Sequence, residues 1–175
     1  ATASSNTFEG GKGFRRPSAY GVHVNGISGS FANSGAINAT ATLTTVDGGE
    51  GYGQAEAIGV RTTELSGSFT NSGTINATAT LATADGGEGF AVGVELLAGS
   101  TYHGMGGALS NAGTLTNTGT ISATLNNGGY RGTAIGVSAP YGFSGTLNNS
   151  GRITASAPGG MAYSLDIGDG GEGGR

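Results

Sequence analysis

The chain has 175 residues with 38 glycines, only 10% charged side chains, a formal net charge of -4, and neither Cys nor Trp. Its longest basic run is Arg15-Arg16, which excludes the positive surface that nucleic acid requires. No apolar run approaches the roughly 18 residues of a membrane span, so membrane insertion is not expected. The opening ATASS lacks the basic and apolar regions of a signal peptide, and the numbering is expected to begin at a mature or cleaved end. Glycine at this level can accompany disorder, but here Ile, Val, Leu and Thr recur at fixed places, which points to a folded chain. At 35% hydrophobic, much of it Ala, a thin core shared along a stack suits the composition better than a thick globular one.

Along the chain, a first glycine loop, Glu9 to Gly13, leads to the apolar segment Ala19–Val22. The block Ile27–Leu43, ISGSFANSGAINATATL, follows and returns nearly verbatim as Leu65–Leu81, LSGSFTNSGTINATATL, an offset of 65 − 27 = 38. After each block comes the same acidic glycine loop, Asp47–Gly51 and Asp85–Gly89. An apolar segment then recurs at Ala57–Val60, Ala91–Val94, Ala134–Val137 and Ala162–Leu165. From Ala19 onward its spacings are 38, 34, 43 and 28 residues, so length varies while order is kept. Variation of that kind belongs in loops between constant rungs. Residues 99–113 read as an insertion loop or partial rung, and degenerate blocks follow at Asn117–Leu125 and Phe143–Ala155. The whole chain, 1–175, reads as one domain of imperfect 28–43-residue repeats.

Within Ile75–Leu81 apolar residues alternate strictly with Asn and Thr, the period-two signature of a strand with one buried face. Leu65, Gly67 and Phe69 share a face of the preceding strand, and Ile58 with Val60 a face of the apolar segment. Asn-Ser-Gly between two strands supplies residues that tolerate left-handed backbone at a corner. Three short strands and three corners per repeat describe one turn of a parallel β-solenoid (β-helix), and the chain is long enough for about four to five coils. The expected fold is therefore all-β. Like residues then stack on like: Asn33, Asn71, Asn117 and Asn149 form an inward ladder, and Thr40, Thr78 and Thr124 an outward row. An antiparallel sandwich is the competing arrangement, but near-identity at equal offsets favours the solenoid.

The pattern Asn-Ser-Gly-Thr-Ile-x-Ala-x-Ala, a glycine-rich turn and Ala-x-Gly-Val, from about Ala19 to Leu165, resembles the passenger repeats of bacterial autotransporters and related surface adhesins. The resemblance implies a right-handed β-helix exposed outside the cell, at the cell surface. It identifies an architecture better than an individual protein. No membrane-barrel translocator follows in this sequence, so a released fragment or a stand-alone secreted subunit is the expectation.

The glycine loop marks both ends, since Glu9–Phe14 aligns on Asp47–Tyr52 and Asp169–Gly173 is the same loop again. Coils cut at one place offer open edges, and open edges template another chain. Head-to-tail stacking into a homopolymeric surface filament is therefore expected. Ala1, Thr2, Ala3 and Phe8 are assigned to an exchanged strand completing a neighbour's coil. Tyr163, Leu165 and Ile167 are assigned to the opposite face, and Lys12 and Glu172 to an ion pair across the junction.

Catalytic signals are weak: His23 and His103 stand alone, and no Gly-x-Ser-x-Gly elbow occurs, so no enzyme activity is expected. Stacked Glu50 and Glu88 could imitate a glycosidase pair, but each sits in a glycine loop. No cofactor is expected, and calcium is the one candidate metal. Asp47, Glu50, Asp85, Glu88, Asp169 and Glu172 offer hard oxygen ligands beside glycines that free backbone carbonyls, although the spacing differs from the known calcium roll. The alternative function is a carbohydrate- or ice-binding module of a larger adhesin. Its supports are the Thr-x-Thr pairs Thr40/Thr42 and Thr78/Thr80 and tyrosines that could meet cell-surface glycans.

Overall fold

The computed structural model describes residues 1–6, 16–44, 53–82, 87–97, 111–127 and 131–168. These residues form fourteen strands and no helix: β1 (Thr2–Asn6), β2 (Ser18–Val24), β3 (Ser30–Asn33), β4 (Ala36–Thr44), β5 (Gly53–Thr62), β6 (Ser68–Asn71), β7 (Thr74–Ala82), β8 (Gly87–Leu96), β9 (Thr114–Asn117), β10 (Thr120–Asn127), β11 (Gly132–Ala139), β12 (Thr146–Asn149), β13 (Arg152–Ser156) and β14 (Met161–Ile167). They pair in parallel as three sheets. Sheet 1 has the order β1-β4-β7-β10-β13, sheet 2 β14-β11-β8-β5-β2, and the four-stranded sheet 3 β12-β9-β6-β3. Each coil visits sheets 2, 3 and 1 in turn, so the fold is a parallel β-solenoid of four full coils. β1 adds a rung before them and β14 one after.

Register follows the repeat. Ile37 pairs with Ile75, Ala39 with Ala77 and Leu43 with Leu81, and Ile75 in turn with Ile121. The interior has two compartments. The first brings together Ala39, Ala77 and Ala123 of sheet 1 and Ala19, Ala57, Ala91 and Ala134 of sheet 2. The second, near sheet 3, holds Ile37, Ile75 and Ile121 with Val60, Val94, Phe69 and Leu115. Alanines predominate in the first, with Leu43, Leu81 and Leu125 stacked among them, and Ile, Val, Leu and Phe in the second; each large side chain so buried contributes about 1.5–3 kcal/mol. Phe31 and Phe69 stack with ring centroids 5.0 Å apart, carrying the column across rungs.

Two expectations are corrected here. Ile58 and Val60 do not share a face: Ala57 and Val60 line the core compartments, whereas Ile58 belongs to neither. The inward run changes phase at Gly59, whose missing Cβ would lie 2.5 Å from Ile75 Cγ2 and 2.5 Å from Gly93 O. Glycine there makes room for the isoleucine across the core. The corner glycines, too, are not left-handed; among the described glycines only Gly142 and Gly159 have positive φ, 96° and 80°. Gly73 is glycine because a Cβ would collide with the carbonyl of Gly35 one rung below, and Gly119 meets Gly73 the same way.

The segment assigned to an exchanged strand is used within its own chain. β1 pairs with β4, Thr2 opposite Asn38 and Ala3 opposite Ala39, and the Ala1 amino group donates to Ala36 O at 2.9 Å. Of the 99–113 insertion, only Asn111 onward lies among the described residues, and there the chain re-enters the stack. Asn111 is buried; its Oδ1 accepts from Leu65 N at 3.1 Å and its Nδ2 donates to Leu96 O at 3.0 Å. The amide side chain thus occupies the rung position where lower coils pair Ile27 with Leu65.

Candidate functional site

The inner asparagines form a directed chain of hydrogen bonds. Asn33 Nδ2 donates to Asn71 Oδ1 at 2.7 Å, Asn71 Nδ2 to Asn117 Oδ1 at 2.8 Å, and Asn117 Nδ2 to Asn149 Oδ1 at 2.8 Å. Each Nδ2 also reaches the carbonyl two residues on in its own coil, as Asn71 reaches Gly73 O at 3.3 Å. Asn71 and Asn117 are fully buried, so the ladder satisfies groups that water cannot reach. The chain has polarity: among the described residues, Asn149 Nδ2 has only its own Gly151 O, at 3.5 Å.

Charge is concentrated outside sheet 2. Arg16 Nη2 lies 2.8 Å from Glu56 Oε2, which also accepts from Ser18 Oγ and Tyr20 Oη at 3.2 Å each. Arg61 Nη1 donates to Tyr20 Oη at 3.0 Å, its guanidinium lies 5.2 Å from the Tyr20 ring centroid, and its Nε stands 2.6 Å from Glu95 Oε2. Neither Arg61 Nε nor Glu95 Oε2 has an aligned hydrogen bond, so this contact is an ion pair. Burial pushes the Glu95 carboxyl above its ordinary value, outweighing the pull of Arg61. Burial and the neighbouring Glu56 carboxylate raise Tyr20 as well. The network went unread in the sequence, although a signal existed: His23, Arg61 and Glu95 recur at the repeat spacings, 61 − 23 = 38 and 95 − 61 = 34.

Sheet 1 presents a different outer face. Register aligns Thr2, Asn38, Asn76, Ser122 and Thr154 in one rank and Thr40, Thr78, Thr124 and Ser156 in the next. A third rank holds Thr42, Thr80 and Asn126, and a fourth Ala36, Thr74, Thr120 and Arg152. Asn76 Nδ2 donates to Asn38 Oδ1 at 3.0 Å, and Ser122 Oγ lies 2.6 Å from Asn76 Oδ1.

At the last rungs, side chains buried elsewhere are uncovered. Leu165 is 45% exposed where its rung partner Val137 is 1%, and Ile167 is 39% exposed above Ala139 at 0%. Tyr163 and Met161 are exposed beside them. On the first coil, Val22, Val24 and Phe31 are only partly buried. A Cβ on Gly29 or Gly35 would meet nothing, although their counterparts Gly67 and Gly73 are crowded by the rung below.

Of the candidate calcium ligands only Glu88 lies among the described residues, and its Oε2 accepts from Gln54 Nε2 at 3.0 Å. Asp47, Glu50, Asp85, Asp169 and Glu172 lie outside them, as do Phe8 and Lys12. Among the described residues no three of His, Cys, Asp and Glu come together, and no helix is long and apolar enough to cross a membrane. Comparison with known protein families, with curated proteins and with solved structures finds no match.

Proposed function

We propose that this solenoid is an extracellular structural and adhesive protein, without catalytic activity or a resident cofactor, whose coils stack head-to-tail on a second copy to build a surface filament. The observation that carries the reading is that, among the described residues, both end coils present what interior rungs bury: open strand edges, uncovered Leu165 and Ile167, and corner glycines at Gly29 and Gly35 with nothing to make room for. Parallel edges of this kind accept another strand at about 4.8 Å.

The two ends are stepped in a complementary way. β14 rises one rung above the rest at one end, and β1 projects one rung below at the other. Joined, β13 meets the neighbour's β1 and β14 meets its β2, leaving one rung of sheet 3 between β12 and the neighbour's β3. Along the rank His23, Arg61, Glu95, Ser138 and Asp166, this junction sets the Asp166 carboxylate opposite the His23 ring of the next copy. Along the rank that starts at Tyr20, it sets Tyr163 opposite Tyr20. The extracellular placement rests on the resemblance of the repeat to surface adhesins, and the sides of such a filament remain open to cell-surface glycans.

Electron microscopy and light scattering across a concentration series test the proposal. End-to-end oligomers that lengthen with concentration are expected, and L165K with I167K should abolish them by setting charge against an apolar edge. Monodisperse monomers at high concentration overturn the reading.

A further inference from the structure

We propose that the outer face of sheet 1 is an ice-binding surface, a function separate from end-to-end stacking. Across β4, β7, β10 and β13 its four ranks consist of Thr, Ser and Asn at every position except Ala36 and Arg152, and both exceptions lie in the same marginal rank. Thr40, Thr42, Thr78, Thr80 and Thr124 all remain partly exposed. The face therefore meets solvent in a chain where charged side chains gather on sheet 2 instead.

Three properties select the ligand. The first is periodicity in two directions: ranks repeat about every 4.8 Å from rung to rung and about 6.6 Å between alternate residues along each strand. Both repeats lie near the oxygen repeats of hexagonal ice, and a two-dimensional grid suits a ligand that is itself a lattice. The second is chemistry. Each Thr offers a hydroxyl that can hold a water at a lattice point and a methyl group that orders first-shell water around it. The third is what the four ranks lack. Apart from Arg152 they carry no charge to impose its own strong hydration, which argues against an anionic or cationic partner. They also carry no aromatic ring, which argues against a sugar held by stacking.

Hydrogen bonds within the sheet fix the backbone positions, and the Asn38, Asn76 and Ser122 side chains are tied to one another across three rungs. The array is thus preorganised, so little side-chain entropy is lost when water freezes onto it. The other outer faces cannot do this. Sheet 3 has strands of only four residues, and sheet 2 carries Arg61, Glu56 and Glu95.

The test is partition of the purified chain into a slowly growing ice hemisphere, with thermal hysteresis measured in parallel. The probes are wild type, the pair T78K/T124K on sheet 1, and T70K on sheet 3 as a control, each checked for native circular dichroism. Wild type and T70K are expected to enter ice and depress its growth temperature, and T78K/T124K to lose most of both effects. Exclusion of wild type from ice overturns the proposal. So does full retention by folded T78K/T124K, or binding to an insoluble neutral polysaccharide in place of ice. Because single subunits suffice for partition, this result is independent of whether copies join end to end.

Discussion

Two columns of side-chain amides climb the same coils, one inside and one outside. The inner column runs from Asn33 to Asn149 on bonds of 2.7–2.8 Å, with Asn71 and Asn117 sealed in the core and the last member, Asn149, exposed. The outer one, Asn38 to Asn76 and on to Ser122, has bonds of 3.0 and 2.6 Å and stands partly in water. Nearly equal geometry carries different consequences, because Asn71 and Asn117 in the inner column have no solvent to fall back on. The inner amides hold the coil corners. The outer ones are left available for whatever the face meets.

The sharpest separation comes from deleting one amide of each column. Asn71→Ala removes an acceptor for Asn33 and donors to Gly73 O, Asn117 Oδ1 and Thr120 O, leaving buried groups unpaired. A loss of about 3 kcal/mol is expected in urea denaturation. Asn76→Ala in the outer column should cost less than about 1 kcal/mol, since water replaces the lost partner. Equal losses would erase the distinction between the columns.

A smaller effect tests the charged face of sheet 2. Glu95 has its folded pKa raised above the ordinary 4.5, so the native state binds the proton more tightly than the unfolded chain. Its ionisation therefore detracts from stability at neutral pH. That penalty is relieved as pH falls through the raised value and is gone below the ordinary one. Wild-type stability measured relative to Glu95→Gln should rise on acidification across this window. A flat difference would mean that Arg61 fully compensates the buried charge.

The smallest effect concerns the acidic glycine loops. If Asp47, Glu50, Asp85, Glu88, Asp169 and Glu172 bind calcium, millimolar calcium should raise the melting temperature over that in chelator. A shift below about one degree removes the metal reading.

The repeat makes sheet 1 and the inner ladder readable from the sequence. Ile-x-Ala-x-Ala alternation assigns faces by itself, and asparagines at one repeat position must stack if the coils do. The phase change at Gly59 was hidden, because a glycine between Ile58 and Val60 looks the same whether it permits a turn or makes room for Ile75 across the core. The corner glycines were assigned for conformational freedom, whereas their role is steric and appears only once the next rung is in place. Arg61, Glu95 and Asn111 depend on register across insertions of different length, which single-strand periodicity does not carry.

Head-to-tail stacking is the central claim, and the chain's lack of cysteine allows a direct test. In the proposed junction Thr154 of one copy stands one rung from Thr2 of the next, about 4.8 Å away and within the Cα range a disulfide spans. Thr2→Cys and Thr154→Cys proteins mixed under oxidising conditions should cross-link to each other, and a chain carrying both should form a ladder of covalent oligomers. Cross-linking no faster in the mixture than in either protein alone would contradict the stacking, whatever else the solenoid binds.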